Sequence, residues 1–304
     1  MKPVLIVGCG DVGLRVARLC SPAPVTGVVR SADSMVRAQA SGIEAMMLDL
    51  DAAPGPRDLL AAGREVYYFA PPPAHGETDP RVAATCLVMQ GDNLPSRLVY
   101  ISTTAVYGDC GGDWIDETAP LRPGTERGRR RLDAERQLLR WGEAQRVPVV
   151  LLRVPGIYGP GRLPIARLRK GLPVLAQEDS PYTNRIHVDD LARVCVAAMR
   201  NGCGGDAYNV SDGHPGSMTD YFNRVADTLG VARPPVVSRE EAERVLSPSM
   251  LSFLRESKRL INRKMLEELG VRLRYESLDE GLASGISDPG GVAGDASDSG
   301  RPSA

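Results

Sequence analysis

The chain has 304 residues, 42% of them apolar and 25% charged, with 37 basic residues against 38 acidic ones and a net charge of -1. That length can bury a full core, as one large domain or two closely integrated ones. The even charge balance excludes a global attraction to nucleic acid or an anionic membrane.

The first residues, MKPVLIVGCGDVG, reach glycine after an apolar run too short for a signal peptide. No later stretch approaches the roughly 18 apolar residues of a membrane span. Six cysteines (Cys9, Cys20, Cys86, Cys110, Cys195, Cys203) are scattered without a CxxC pair or a cysteine-histidine spacing suited to zinc. A reduced, cytoplasmic protein without a metal site is expected.

Short apolar runs at 3–7, 24–29, 43–48, 65–70, 97–102 and 148–153 read as buried strands, and segments such as DVGLRVARLC between them have helical periodicity. Repeated βα units with near-continuous apolar strands imply an α/β fold with a parallel sheet covered on both faces. After residue 155 the pattern loosens. A helix is expected over 189–199, a strand over 207–211, and helices around 217–229, 239–253 and 262–269, forming a smaller lobe over a cleft. The tail at 287–304 is small, polar and glycine-rich, a composition that predicts disorder.

Gly8, Gly10 and Gly13, with Asp11 and Val12 between them, follow the first strand and open a helix. This is GxGxxG in the setting where it binds a dinucleotide: a tight turn, close backbone approach to pyrophosphate, and a helix N-terminus that favours the anion. The second strand ends in Arg30 and Ser31, where NAD enzymes place an acid for the ribose 2′-hydroxyl. A guanidinium suits a 2′-phosphate better, so NADP is expected, with Asp33 close enough to keep NAD as second choice.

GCGDVG, the LDLD run, YISTTAVYGD, LLRVPGIYGPGR, RIHVDDLA and AYNVSDG together resemble the extended and atypical short-chain dehydrogenase/reductases, the NAD-dependent epimerase/dehydratase superfamily, from about residue 3 to 285. The resemblance implies a Rossmann-type doubly wound domain over 1–155, rejoined by 187–212, and a C-terminal substrate lobe over 156–286. It also implies nicotinamide chemistry at their junction and pairing of two copies through the helices after the fourth and fifth strands. It places Asp49 and Leu50 beside the adenine, Ala70 and Pro71 near the cofactor, and Thr103 at the catalytic Ser/Thr position.

The family next carries a tyrosine and a lysine at i and i+4 of a helix. Here TERGRRRLDAE puts Arg127 and Arg131 in those places, a departure shared with a bacterial subgroup the chain is similar to. An arginine cannot act as a general acid near neutrality. Arg131 can still hold the nicotinamide ribose, as the lysine does, and Arg127 can clamp a substrate anion. Arg129 and Arg130 read as solvated helix surface, so nucleic acid is not an expected partner. Tyr107, Tyr182 and Arg185 are the candidate substrate-binding residues. Two functions fit: an NADP-dependent oxidoreductase or epimerase/dehydratase-like enzyme acting on a polar carbonyl or sugar-like small molecule with a non-standard proton donor, or a catalytically inactive NADP-binding regulatory or redox-sensing protein.

Overall fold

The structure, a computed structural model, describes residues 1–52, 55 and 58–286; the tail expected to be disordered at 287–304 lies outside the described residues. Five apolar runs become strands β1 (Val4–Val7), β2 (Val25–Val29), β3 (Glu44–Met47), β4 (Glu65–Tyr68) and β5 (Arg97–Thr103). With Val149–Val154 and Ala207–Asn209 they form one seven-stranded sheet, in which every pairing is parallel. The spatial order is Ala207–Asn209, Val149–Val154, β5, β4, β1, β2, β3. The chain runs outward from β1 to β3, then crosses to β4 and runs outward the other way. That reversal leaves a crevice at the carboxyl ends of β1 and β4, the topological switch point of a doubly wound sheet.

Helices cover both faces. Val4 and Ile6 of β1 join a core containing Val12, Val16 and Ala17 of α1 (Asp11–Cys20). Leu5 and Val7, pointing the other way as strand pleating requires, join a second core with Val82 of α3 (Pro80–Val88) and Ala134, Leu138 and Trp141 of α4 (Glu126–Gln145). Helix α2 (Ala32–Ala40) packs beside β3 at the sheet edge. The expectation that 43–48 is a buried strand is corrected there: an edge strand has a neighbour on one side only, and Met47 is 59% exposed.

Beyond the sheet, α5 (Ile165–Arg169), α7 (Met218–Leu229), α8 (Arg239–Val245), α9 (Pro248–Leu254) and α11 (Leu278–Ile286) belong to a lobe with its own core, including Leu168, Phe222, Val225, Leu254 and Leu282. Helix α6 (Val188–Asn201) instead packs on α1, and α10 (Arg263–Leu269) packs on α6. The single helix expected at 239–253 is two, because Pro248 disfavours helical backbone at Ser247, whose side chain caps α9. No helix of the described residues is long and apolar enough to cross a membrane.

One buried polar network ties α4 to the sheet. Arg153 Nη2 and Glu135 Oε2 are 3.0 Å apart, with side chains only 7% and 2% exposed. Ser102 Oγ also donates to Glu135. Arg153 Nη1 donates to the Tyr107 hydroxyl (3.0 Å) and to Glu117 O (3.2 Å), and Tyr107 donates to Asn209 Oδ1 (2.7 Å). Burial works against the Arg153 guanidinium, but Glu135 and Tyr107 more than offset it and its pKa is raised.

Removing one member of such a pair leaves a buried, uncompensated charge. Glu135→Ala should therefore lower unfolding free energy by about 3–5 kcal/mol, whereas Glu135→Leu with Arg153→Met should lose less than either single change. Urea denaturation of Glu135→Ala, Glu135→Leu, Arg153→Met and the double variant checks this; a single variant as stable as the parent would contradict it.

Candidate functional site

The crevice at the switch point is built from glycines with separate tasks. Gly8 has φ +87°, and a Cβ there would lie 2.7 Å from Ala70 Cα, so β1 and the end of β4 meet too closely for a side chain. Gly13 lies where a Cβ would stand 3.1 Å from Ile6 Cγ2, which lets α1 sit tight on β1. Gly10 is the N-cap of α1 and supplies no capping side chain; a Cβ there would meet nothing within 4 Å. The first amides of α1, including those of Asp11, Val12 and Gly13, thus have neither an intrahelical acceptor nor a side-chain cap. This is the arrangement that receives a pyrophosphate, and the residues present fit one.

Asp11, at the first position of that helix, is an acid where an anion would bind. Arg162 Nε donates to its Oδ2 (2.6 Å) and Arg15 Nε to its Oδ1 (3.0 Å), while Arg15 also reaches Asp189. Burial alone would raise the Asp11 carboxyl; the two guanidiniums hold it below the ordinary range. Arg162 was not singled out from the sequence for this loop. The signal was present in GIYGPGR, but nothing local says which loop the arginine crosses to.

Arg30 is exposed at the end of β2, and Ser31 caps α2 by accepting from Ser34 N. Asp49 is exposed and accepts from Asp51 N, and Leu50 is half-buried after β3. Arg81, missed by the sequence reading, grips Asp51 with two bonds (2.7 and 2.6 Å) and donates to Pro71 O (2.8 Å). It thereby joins the loop after β3 to the one after β4, so the structure brings these candidates onto one rim, with Ala70 beneath against Gly8.

Thr103 ends β5, and its hydroxyl accepts from Ala105 N (3.3 Å). Arg127 and Arg131 share the face of α4 that ends in Glu135. Arg131 Nη1 donates to Ile101 O (2.8 Å) and to the Tyr100 hydroxyl (2.9 Å), at the end of β5. Arg127 stacks on the Phe253 ring (4.1 Å to the centroid). Burial pushes its pKa down, and Glu256 opposes that. The reading of Arg129 and Arg130 as solvated surface is corrected. Arg130 is buried and donates to Gly76 O (2.6 Å), and Arg129 pairs with Glu77 (2.8 Å), because α4 packs against the loop before α3.

The three candidate substrate residues do not come together. Tyr107 is inside the buried network, 1% exposed, with its hydroxyl engaged at both lone pair and proton; burial pushes its pKa up to about 12. That position gives a substrate no access to it. Tyr182 is exposed and stacks under Arg259 (4.7 Å), beside Gly112 and the 257–258 segment that leads to Arg127. Arg185 points to the opposite side of the same chain segment, onto Tyr221 of α7 (4.1 Å). His187 is buried, and its Nδ1 accepts from Asp189 N as the N-cap of α6.

The family model described as NAD dependent epimerase/dehydratase family matches residues 78–211. Protein YeeZ of Escherichia coli (strain K12) is 28% identical over 244 residues, covering 77% of this chain and 86% of that protein. The solved structure of a functionally unknown conserved protein from Silicibacter pomeroyi DSS is 33% identical with a TM-score of 0.79, covering 94% of this chain and 98% of that one. The UDP-glucuronic acid 4-epimerase from Bacillus cereus in complex with NAD superimposes with a TM-score of 0.74 at 17% identity, over 93% of this chain and 96% of that one, a likeness of fold.

The glycines separate by experiment. Gly8→Ala should cost more than about 1 kcal/mol of stability, since alanine is strained at positive φ and would overlap Ala70. Gly10→Ser should stay within about 0.5 kcal/mol of the parent, because serine is a good N-cap. Thermal unfolding of both variants measures the contrast, and equal losses would refute the division of tasks.

Proposed function

This chain belongs to the NAD-dependent epimerase/dehydratase family, and we propose that within it the protein is an NADP-binding oxidoreductase or epimerase/dehydratase-like enzyme acting on a small polar carbonyl or sugar-like substrate. The observation that carries this reading is the uncapped N-terminus of α1 at the switch point, with open space beside Gly10. Gly8, Gly10, Asp11, Val12 and Gly13 would hold the pyrophosphate on backbone amides. Arg30 and Ser31 would take the 2′-phosphate, Asp49 and Leu50 would flank the adenine, and Ala70 with Pro71 would border the cofactor. Arg131 would hold the nicotinamide ribose from the end of β5.

A bound nicotinamide would supply hydride exchange. The chain's own part is to orient the substrate through the Thr103 hydroxyl and to hold a substrate anion near Arg127. No phenol stands at residue 127, so the proton must come from another group. Tyr182 and the Glu256–Lys258 ion pair (2.8 Å) lie along the segment that covers Arg127. A second reading, an NADP-binding regulatory or redox-sensing protein without turnover, draws its support from Arg127 itself: a guanidinium stacked beneath Phe253 cannot donate a proton near neutrality. In either case the partner is a small molecule rather than nucleic acid or membrane. A homodimer would form across α3 and α4, where Leu87 is 71% exposed.

Titration with NADPH and NADH tests the cofactor. NADPH should bind more tightly, Gly10→Ser should weaken both by about tenfold or more, and Arg30→Asp should move the affinity ratio toward NADH. An unchanged ratio would remove Arg30 from the 2′-phosphate site.

Turnover separates the two readings. NADPH should be oxidised slowly with some member of a carbonyl and sugar panel, and Arg131→Ala should lower both that rate and NADPH affinity. Tight NADPH binding with neither oxidation of NADPH nor conversion of any sugar to an epimer or a dehydrated product, with NADP+ or NADPH present, would leave only the regulatory reading.

A further inference from the structure

We propose that the C-terminal lobe carries a second ligand site, for a phosphoryl group, on the side of the 182–187 segment turned away from Tyr182, with Arg185 and His214 as its recognition residues. It is separate from the dinucleotide crevice and does not depend on the function proposed for that crevice.

Successive side chains of an extended segment point to opposite sides. Asn184 turns toward the 258–260 segment, donating to Lys258 O (3.0 Å) and accepting from Leu260 N (2.8 Å). Arg185 therefore turns the other way, onto the ring of Tyr221. Gly156 on the paired strand makes room for it, since a side chain there would overlap the guanidinium. A cavity of about 210 Å³ opens beside it, bounded by Thr183, Arg185, His214, Ser217, Tyr221 and Ser277. None of the glycine loop, Thr103, Arg127 or Arg131 lines this cavity. Its volume lies below the roughly 300 Å³ at which pockets for drug-sized ligands begin, which suits a phosphate and excludes a dinucleotide.

The polar groups around the cavity differ in what they have left to offer. Arg224 is engaged by Asp220 (2.8 Å) and Asp279 (2.9 Å). The Thr183 hydroxyl donates to Gly216 O, and those of Ser217 and Ser277 accept from backbone amides of their own helices. Arg185 has only one long bond, Nη1 to Asn184 O at 3.3 Å, and its Nε is shut off from solvent without a partner. Among the described residues no carboxylate forms an ion pair with it. Asp212, the nearby acid, accepts from His214 N through Oδ1 (2.9 Å), and burial pushes its pKa up to about 6. Asp212 interacts with this guanidinium electrostatically without pairing with it, so most of the N–H donors of Arg185 are left for an anion.

His214 selects among anions. Its Nδ1 lies 3.2 Å from Asp212 O and so acts as a donor, which leaves Nε2 an acceptor on the neutral ring. Hydrogen phosphate, and a phosphomonoester in its singly charged form, present both an anionic oxygen for Arg185 and an O–H for Nε2; a carboxylate presents only the first.

Inorganic phosphate, glycerol 3-phosphate and acetate are titrated into the full-length protein while the amide resonances of Gly213, His214 and Gly216 are followed by NMR. Phosphate and the monoester should shift these amides with saturation, acetate should not, and a tighter constant for the monoester would identify an esterified ligand rather than free phosphate. Arg185→Met and His214→Leu should each weaken the phosphate response by about tenfold or more. His214 is exposed, so its variant keeps the test decisive if Arg185→Met fails to fold. Amides that do not move, or that respond equally in His214→Leu, would overturn the site. NADPH affinity should be the same in both variants and the parent; a matching loss would mean that the two sites are one.

Discussion

The buried ion pair between Glu135 and Arg153 sets the position of everything else on that side of the sheet. A charge pair this far from water survives only when its remaining hydrogen-bonding capacity is met. Here Ser102, Tyr107 and the carbonyl of Glu117 meet it. These partners come from β5, the turn after it, the following loop, α4 and the next strand, so α4 has one favoured register against the sheet. Arg131, one turn before Glu135, then falls on the end of β5, and Arg127, one turn earlier, falls beneath Phe253.

That register also explains why Tyr107 and the arginines exchange the places their composition suggests. Tyr107 is drawn inward because its hydroxyl completes the pair's hydrogen bonding. Arg130 is drawn inward because the neighbouring loop presents the carbonyl of Gly76 to it. Long basic side chains bury readily when their heads find an acceptor, and a run of arginines read by composition alone hides that difference.

On the opposite side, the crevice depends on charge held between three elements. Asp11 opens α1, Arg162 comes from the loop after Gly156–Tyr158, and Asp189 lies in the first turn of α6; Arg15 joins the two acids. The ladder neutralises an acid where a phosphate would otherwise meet like charge. It also ties the lobe side of the molecule to the first helix, so the crevice and the lobe are mechanically joined.

Much of this was legible in the chain. The strand patterns placed all seven sheet strands to within a residue or two. GxGxxG after a strand marked the crevice, and i and i+4 spacing put Arg127 and Arg131 on one face. Those features arise from residues close together in sequence: pleating, helical pitch, and the steric needs of a turn at Gly8. The edge exposure of Met47, the helix break at Ser247, the burial of Tyr107 and Arg130, and the opposite aims of Tyr182 and Arg185 were decided by tertiary contacts. Each depends on a partner many residues away, such as Asn209 for Tyr107 or Tyr221 for Arg185, or on which strand has no outer neighbour. Sequence by itself determined where the elements and the glycine turn lie, because local sterics and hydrogen bonding specify them; only the packed structure decided which polar side chains are buried and which line the crevice, because that follows from where their distant partners come to rest.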